Sequence, residues 1–113
     1  MNTQLSTRLT FPTQEGYFIV SVGEIVHCTA DGNYSSIYLA NGSELVICRK
    51  IGQLEAVLPP DHFIRVHHSH LVNMLFLKKY LHKDGGQLLM ANGRFVPVSR
   101  RRKPEVMQRF KGV

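Results

Sequence analysis

Three imidazoles crowd one short stretch of this chain: His67, His68 and His70 lie within residues 63–73, FIRVHHSHLVN. Metal binding is the first chemistry such a cluster suggests. Read as one strand, His68 and His70 point the same way and His67 points oppositely, so the three do not converge on one ion. No cysteine or acidic residue stands nearby in sequence to complete a tetrahedral set, so no metal and no cofactor are expected. Nucleophilic hydrolysis is the second possibility. Ser69 or Ser99 could be combined with a histidine and with Asp31, Asp61 or Asp84. Yet Ser69 sits in no GxSxG elbow, and no spacing fixes a base beside it. Carboxylates for proton work are few, and the chain does not read as an enzyme.

Binding to nucleic acid accounts for the same residues with fewer assumptions. Histidine and asparagine donate to acceptors on base edges, and arginine forks onto guanine. Serine, lysine and arginine suit phosphate oxygens, which position a protein without reading sequence. Net charge is +6, from 14 basic and 8 acidic residues in a chain of 113. A basic domain of this size commonly has an anionic partner. The charge is concentrated: Arg94, Arg100, Arg101, Arg102, Lys103, Arg109 and Lys111 are opposed only by Glu105. Arg49-Lys50 forms a second basic element, and Arg65 with the histidines a third. Like charges packed as tightly as VSRRRK at 98–103 cost folding energy unless a partner neutralises them. Isolated polar residues such as His27 and His82 read as ordinary solvated loop positions. Composition does not separate DNA from RNA. Tyr34 and Tyr38 could serve as stacking platforms, but there is no tryptophan and no RNP-like motif. Neither helix-turn-helix nor zinc-finger spacing is present. A basic protein-interaction module of a signalling protein therefore stays open beside RNA binding as an alternative.

The elements that position these residues are mostly strands. Residues 1–15 are polar, contain Pro12 and keep no period, so they read as a flexible tail or linker before a domain over 16–113. Short apolar runs at 17–22 and 25–29 read as strands, and Asp31-Gly32-Asn33 ends the second. From Tyr34 to Leu39 the residues alternate, with Ser35, Ile37 and Leu39 on one face. Asn41-Gly42 predicts a type I′ hairpin into a strand over 44–49. Later strands are expected at 74–82, 87–90 and 94–98, joined by Asp84-Gly85-Gly86 and Asn92-Gly93. Ile51, Leu54, Val57 and Leu58 recur at helical period, and Pro59-Pro60 stops that helix. A second helix fits the C-terminus, with Ser99 as a cap and its regular part starting near Pro104. Phe63, Val66, Leu71, Ile37, Ile47 and Leu89 are expected in the core, and Asn73 is expected to bridge backbone groups.

Cys28 and Cys48 are too few for a disulfide framework and read as buried or half-buried free thiols. No stretch approaches the roughly 18 apolar residues of a membrane span. The polar N-terminus has no signal-like apolar core, so a cytoplasmic protein is expected.

Read in order, these segments resemble the LytTR family, the DNA-binding output domains of bacterial response regulators of the LytR/AlgR type. IVHCTADGNY at 25–34 looks like the family's opening strand and first loop, and NGSEL at 41–45 like its hairpin. FIRVHHSHLVN at 63–73 is close to its most diagnostic motif, and NGRFVPVSRRRK at 92–103 to its closing one. The similarity covers about 17–110. It implies a mainly β fold of elongated antiparallel sheets with two short helices. It also implies loops that enter successive major grooves of double-stranded DNA at direct-repeat promoter sites, serving two-component transcription regulation. Partners implied are a second copy on repeated half-sites and an attached or partner receiver domain. Carried over residue by residue, the base readers are Asn33, His68 and Arg100. The phosphate set is Lys50, Arg65, His67, Ser69, Arg101 and Lys103. Position 68 is histidine where arginine or lysine is common, and position 70 is histidine where an aromatic is usual, which marks His70 as a packing residue.

Overall fold

The computed structural model describes residues 3–110 and 112; Lys111, counted in the basic run, lies outside the described residues. A one-turn helix, α1 (Thr3–Ser6), precedes a two-stranded ribbon of β1 (Arg8–Pro12) and β2 (Tyr17–Ser21). Then come β3 (Ile25–Asp31), β4 (Tyr34–Leu39), β5 (Glu44–Ile47), helix α2 (Ile51–Val57), β6 (Phe63–His67) and β7 (His70–Asn73). A second hairpin sheet follows as β8 (Leu77–Leu81), β9 (Gln87–Met90) and β10 (Phe95–Pro97), and the fold closes with α3 (Lys103–Gln108). The sheet expectation holds: five strands in the order β5-β4-β3-β7-β6 form the central sheet, all neighbours antiparallel, and β10-β9-β8 form the smaller one.

Two bulges decide which side chains face which layer. In β3 the register skips between Ile25 and His27, and in β6 between Arg65 and His67. A bulge puts one extra residue on a strand and turns the side chains after it. Ile25, Cys28, Phe63 and Leu71 consequently join one core with Phe11, Val20, Ile37, Ile47, Leu54 and Leu58, beneath α2 and the ribbon. Val26, Ile64, Val66 and Val72 join the other with Leu88, Met90, Val96 and Val106, beneath the small sheet and α3. Strands β3, β7 and β6 are thus buried on both faces, while Val46 of β5 stays exposed.

Several expectations need correction. Residues 8–12 were read as tail, but β1 pairs with β2 from Arg8↔Ser21 to Pro12↔Tyr17, and Phe11 is only 3% exposed. Its alternation brings one apolar side chain to the core, and Cys48 N–H donates to the Pro12 carbonyl at 2.8 Å. Leu88, not Leu89, is buried, because β9 pairs so that Leu88 and Met90 face the core. Asn41-Gly42 does make the hairpin, but with a different turn. Only Gly42 has positive φ (92°), and Gly42 N–H donates to the Leu39 carbonyl at 3.0 Å. That is a longer loop with a left-handed glycine at its exit. Both central residues are left-handed instead at Asp84 (φ 53°) and Gly85 (φ 82°).

Other expectations match. Asn73 is fully buried; its Nδ2 donates to the Ile25 carbonyl at 2.9 Å and its Oδ1 accepts from Leu75 N–H at 3.0 Å. Pro104 sits in the first turn of α3, where its missing N–H is not needed. Cys28 is buried and Cys48 half-buried, both as free thiols.

Candidate nucleic-acid interface

Strand direction alone gathers the basic and polar loops at one end of the central sheet. The β3–β4 turn is Gly32-Asn33, closed by the Asp31↔Tyr34 pair. Gly32 takes φ 61° at the first central position, where a two-residue turn of the II′ kind requires glycine. Next to it lies the β6–β7 turn, His68-Ser69, because Thr29 pairs with His70. Ala30 N–H donates to the Ser69 carbonyl at 2.9 Å, tying the two turns together. On the other flank β5 runs toward the same end, and the buried Ser35 hydroxyl donates to the Arg49 carbonyl at 2.7 Å. Arg49-Lys50 therefore stands beside Tyr34.

The closing motif reaches the same end from the opposite edge. Ser99 N–H donates to the Val66 carbonyl at 2.9 Å, one residue before the end of β6. The Ser99 side chain and carbonyl both accept from Arg102 N–H, at 3.3 and 3.1 Å, so Arg100 and Arg101 form a capped tight turn ahead of α3. Asn33, His68 and Arg100 are all exposed, and none has a side-chain hydrogen bond among the described residues. Lys50 and Arg101 are exposed as well, while Lys103 is half-buried.

Arg65 behaves differently from the phosphate role expected of it. Its Nε donates to the His67 carbonyl at 3.1 Å and its Nη2 to the His68 carbonyl at 2.6 Å. Its Nη1 forms an ion pair with Glu55 of α2 at 2.8 Å. With its side chain only 11% exposed, the guanidinium braces the turn that presents His68. Sequence gave no signal for this, since Glu55 is ten positions away on another element.

The one-strand reading of the histidines also fails. Because the chain reverses at His68-Ser69, His67 and His70 are cross-strand partners on one face, their rings 5.1 Å apart. His67 Nδ1 accepts from Ser69 N–H at 3.0 Å, which leaves Nε2–H outward as a donor. No group of three or more metal-ligating side chains occurs among the described residues. His27 is not a solvated loop residue but is 3% exposed in β3. Burial first, then the neighbouring His70 and Arg94 charges, push its pKa down to about 4. Burial and then His67 do the same to His70. Burial pushes the Cys28 thiol up to about 12.

Not all of the basic run faces this end. Arg94 lies on the β9–β10 turn against Tyr38. Arg109 donates to the Pro60 and Asp61 carbonyls at 2.9 and 3.1 Å, beyond the start of β6 and so at the opposite end. The positively charged cluster is narrower than the sequence suggests: Arg49, Lys50, Arg100 and Arg101, with the turn histidines between them.

No described helix is long and apolar enough to cross a membrane. The chain is 31% identical over 84 residues, 72% of its length, to the CO-responsive transcriptional regulator RcoM of Rhodospirillum rubrum. It is 29% identical over 90 residues, 76% of its length, to an uncharacterized response regulatory protein of Vibrio cholerae. These matches span 35% and 34% of the two relatives, so the chain corresponds to about a third of each. A solved LytTr DNA-binding domain from Bacillus cereus superposes with a TM-score of 0.79 at 24% identity, over 91% of this chain and 95% of that one, and shares its fold. The model of the LytTr DNA-binding domain family matches residues 15–111. That match covers both basic loops, both diagnostic motifs and the capped arginine turn: the chain belongs to the LytTR family, whose domains are DNA-binding modules of transcriptional regulation and not enzymes.

Proposed function

We propose that this domain reads a specific double-stranded DNA sequence with Asn33, His68 and Arg100. The observation that carries the reading is the meeting of three sequence-distant loops at one sheet end, each offering an exposed, unpartnered polar side chain. Lys50, His67, Ser69, Arg101 and Lys103 supply phosphate contacts around them, and Arg65 acts by holding the His68 turn.

Strand spacing refines how the loops meet the duplex. At about 4.8 Å per strand, the β3–β4 and β6–β7 turns are centred roughly 10 Å apart, well short of the roughly 34 Å between successive major grooves. Asn33 and His68 do not occupy successive major grooves. By the same spacing Arg100, one position beyond β6, stands roughly 17 Å from Asn33, so the three side chains form one row with Asn33 and Arg100 at its flanks and His68 between them. Arginine at the outer position forks onto guanine, a contact worth about 1–3 kcal/mol of discrimination.

With so few base contacts, one copy binds weakly, and two copies on direct repeats gain through effective concentration. A response-regulator setting in the bacterial cytoplasm, with a receiver domain on the same or a partner chain, would supply that pairing. Exposed Tyr17, Phe18 and Val46, which line one open groove, are the observation that favours an additional protein contact. Selection of bound duplexes from a random pool tests the reading. A conserved motif recurring at a fixed spacing is the expected result; a pool with no enriched sequence would leave only non-specific attraction to phosphate.

A further inference from the structure

The ribbon of β1 and β2 ends where the reading loops end, and the mechanism above makes no use of it. At its base, Val22 N–H donates to the Thr7 carbonyl at 2.9 Å, beside the start of β3. At its other end, Cys48 N–H, one position past β5, donates to the Pro12 carbonyl at 2.8 Å. The ribbon thus runs along the central sheet toward the loop end. Its turn, residues 13–16, comes to lie beside the β3–β4 turn, so that Gln14, Glu15, Asp31 and Tyr34 line one open groove. Thr13 holds that turn in shape. Its N–H donates to the Gly16 carbonyl at 2.7 Å, and its hydroxyl oxygen accepts from the N–H groups of Glu15 and Gly16 at 3.2 and 3.1 Å.

The side chains of this turn are not those of a phosphate contact. Gln14 and Glu15 are both exposed, and none of residues 13–16 is basic, although Arg49-Lys50 stands nearby. Glu15 forms no ion pair among the described residues. Against the phosphate backbone a carboxylate is only repelled. In the major groove it accepts from the amino group of cytosine, as glutamine forks onto adenine. Position agrees with chemistry. The ribbon adds about one strand spacing beyond β5, which puts Glu15 roughly 12 Å from Asn33 on the side away from His68, and roughly 29 Å from Arg100. That span approaches the roughly 34 Å between successive major grooves, which Asn33, His68 and Arg100 alone do not cover. We propose that the β1–β2 turn is a fourth reading element, in which Glu15 accepts from a cytosine about three to four base pairs beyond the one Asn33 reads. This role rests on the specific DNA reading proposed above and adds a base position to it.

Selection of duplexes from a random pool by the full chain, repeated with Glu15→Ala, Glu15→Gln and Arg100→Ala at one salt concentration, tests the role. Arg100→Ala marks one end of the motif by the preference it loses. Expected at the opposite end is a cytosine preference in the parent. Glu15→Ala should weaken that preference by about tenfold or more and keep the rest of the motif, while Glu15→Gln should exchange cytosine for adenine. A motif without a cytosine preference at that end, or one that both Glu15 variants retain, overturns the proposal and leaves the reading by the other three residues standing. So does a Glu15→Ala protein that binds every duplex more tightly by one factor, since Glu15 then only repels phosphate. A pool with no enriched sequence overturns both.

Discussion

Acidification should destabilise this fold before its carboxylates begin to titrate. His27 is held at a pKa of about 4 when folded and returns to about 6.5 when unfolded. The unfolded chain therefore takes up the proton first. Stability is complete above about pH 6.5, declines as the pH falls through the window between 6.5 and 4, and then levels off. With those two values, linkage assigns His27 a loss of about 2 kcal/mol between about pH 7 and about pH 5. His70 is displaced in the same direction but is partly exposed, so solvent screens it and its share is smaller. Aspartate and glutamate have model values near 4 and contribute little above about pH 5, which keeps the window clean. Urea denaturation at a series of pH values reads the slope directly. His27→Phe retains stacking on Tyr38 and should remove about 2 kcal/mol of the pH dependence, leaving the part due to His70. An unchanged slope in that variant, or a parent protein whose stability is flat between pH 7 and 5, would refute the assignment of a buried neutral imidazole.

Three further outcomes follow from the same structure. Arg65→Lys keeps the charge but loses the fork that holds the His67 and His68 carbonyls; specific DNA affinity should fall by about tenfold with non-specific affinity nearly unchanged, read by competition binding. Asn73→Ala strands the Ile25 carbonyl and Leu75 N–H and should cost about 2–3 kcal/mol by denaturant unfolding. In the native protein a thiol reagent should label Cys48 and not Cys28, whose thiol is buried and held at high pKa; mass spectrometry of the labelled peptides decides.

What was legible in the sequence was the local chemistry. Alternation over Tyr34–Leu39 placed Ile37 and Leu39 inward because a period of two leaves no other arrangement once one face is buried. The helix at Ile51–Val57 was bounded by its own spacing and by Pro59-Pro60. Less legible was whatever depends on a partner strand. His68-Ser69 has no glycine, proline or asparagine to announce a turn, and its reversal rests on Thr29↔His70 pairing and on Arg65 bonds. The two bulges cannot be seen in local alternation, yet they send Val26 and His27 to one core and Cys28 to the other. Leu88 and Leu89 are adjacent and equally apolar, so only the register of β9 chooses between them. In the site, the residue types were readable, but the role of Arg65 was not, because its partners are carbonyls and a distant glutamate. The basic run was likewise overextended, since sequence adjacency does not reveal that α3 carries Arg109 away to the other end of β6.

Discrimination between a selected target duplex and its scrambled counterpart, measured at fixed salt for Arg100→Ala and Lys50→Ala, tests the central claim most directly. A good bidentate base contact is worth about 1–3 kcal/mol and a phosphate contact carries no sequence information. Arg100→Ala should therefore lose roughly ten- to hundredfold in the ratio of the two affinities, while Lys50→Ala weakens both duplexes alike and leaves the ratio intact. An Arg100→Ala protein that still prefers the target as strongly as the parent would contradict the account.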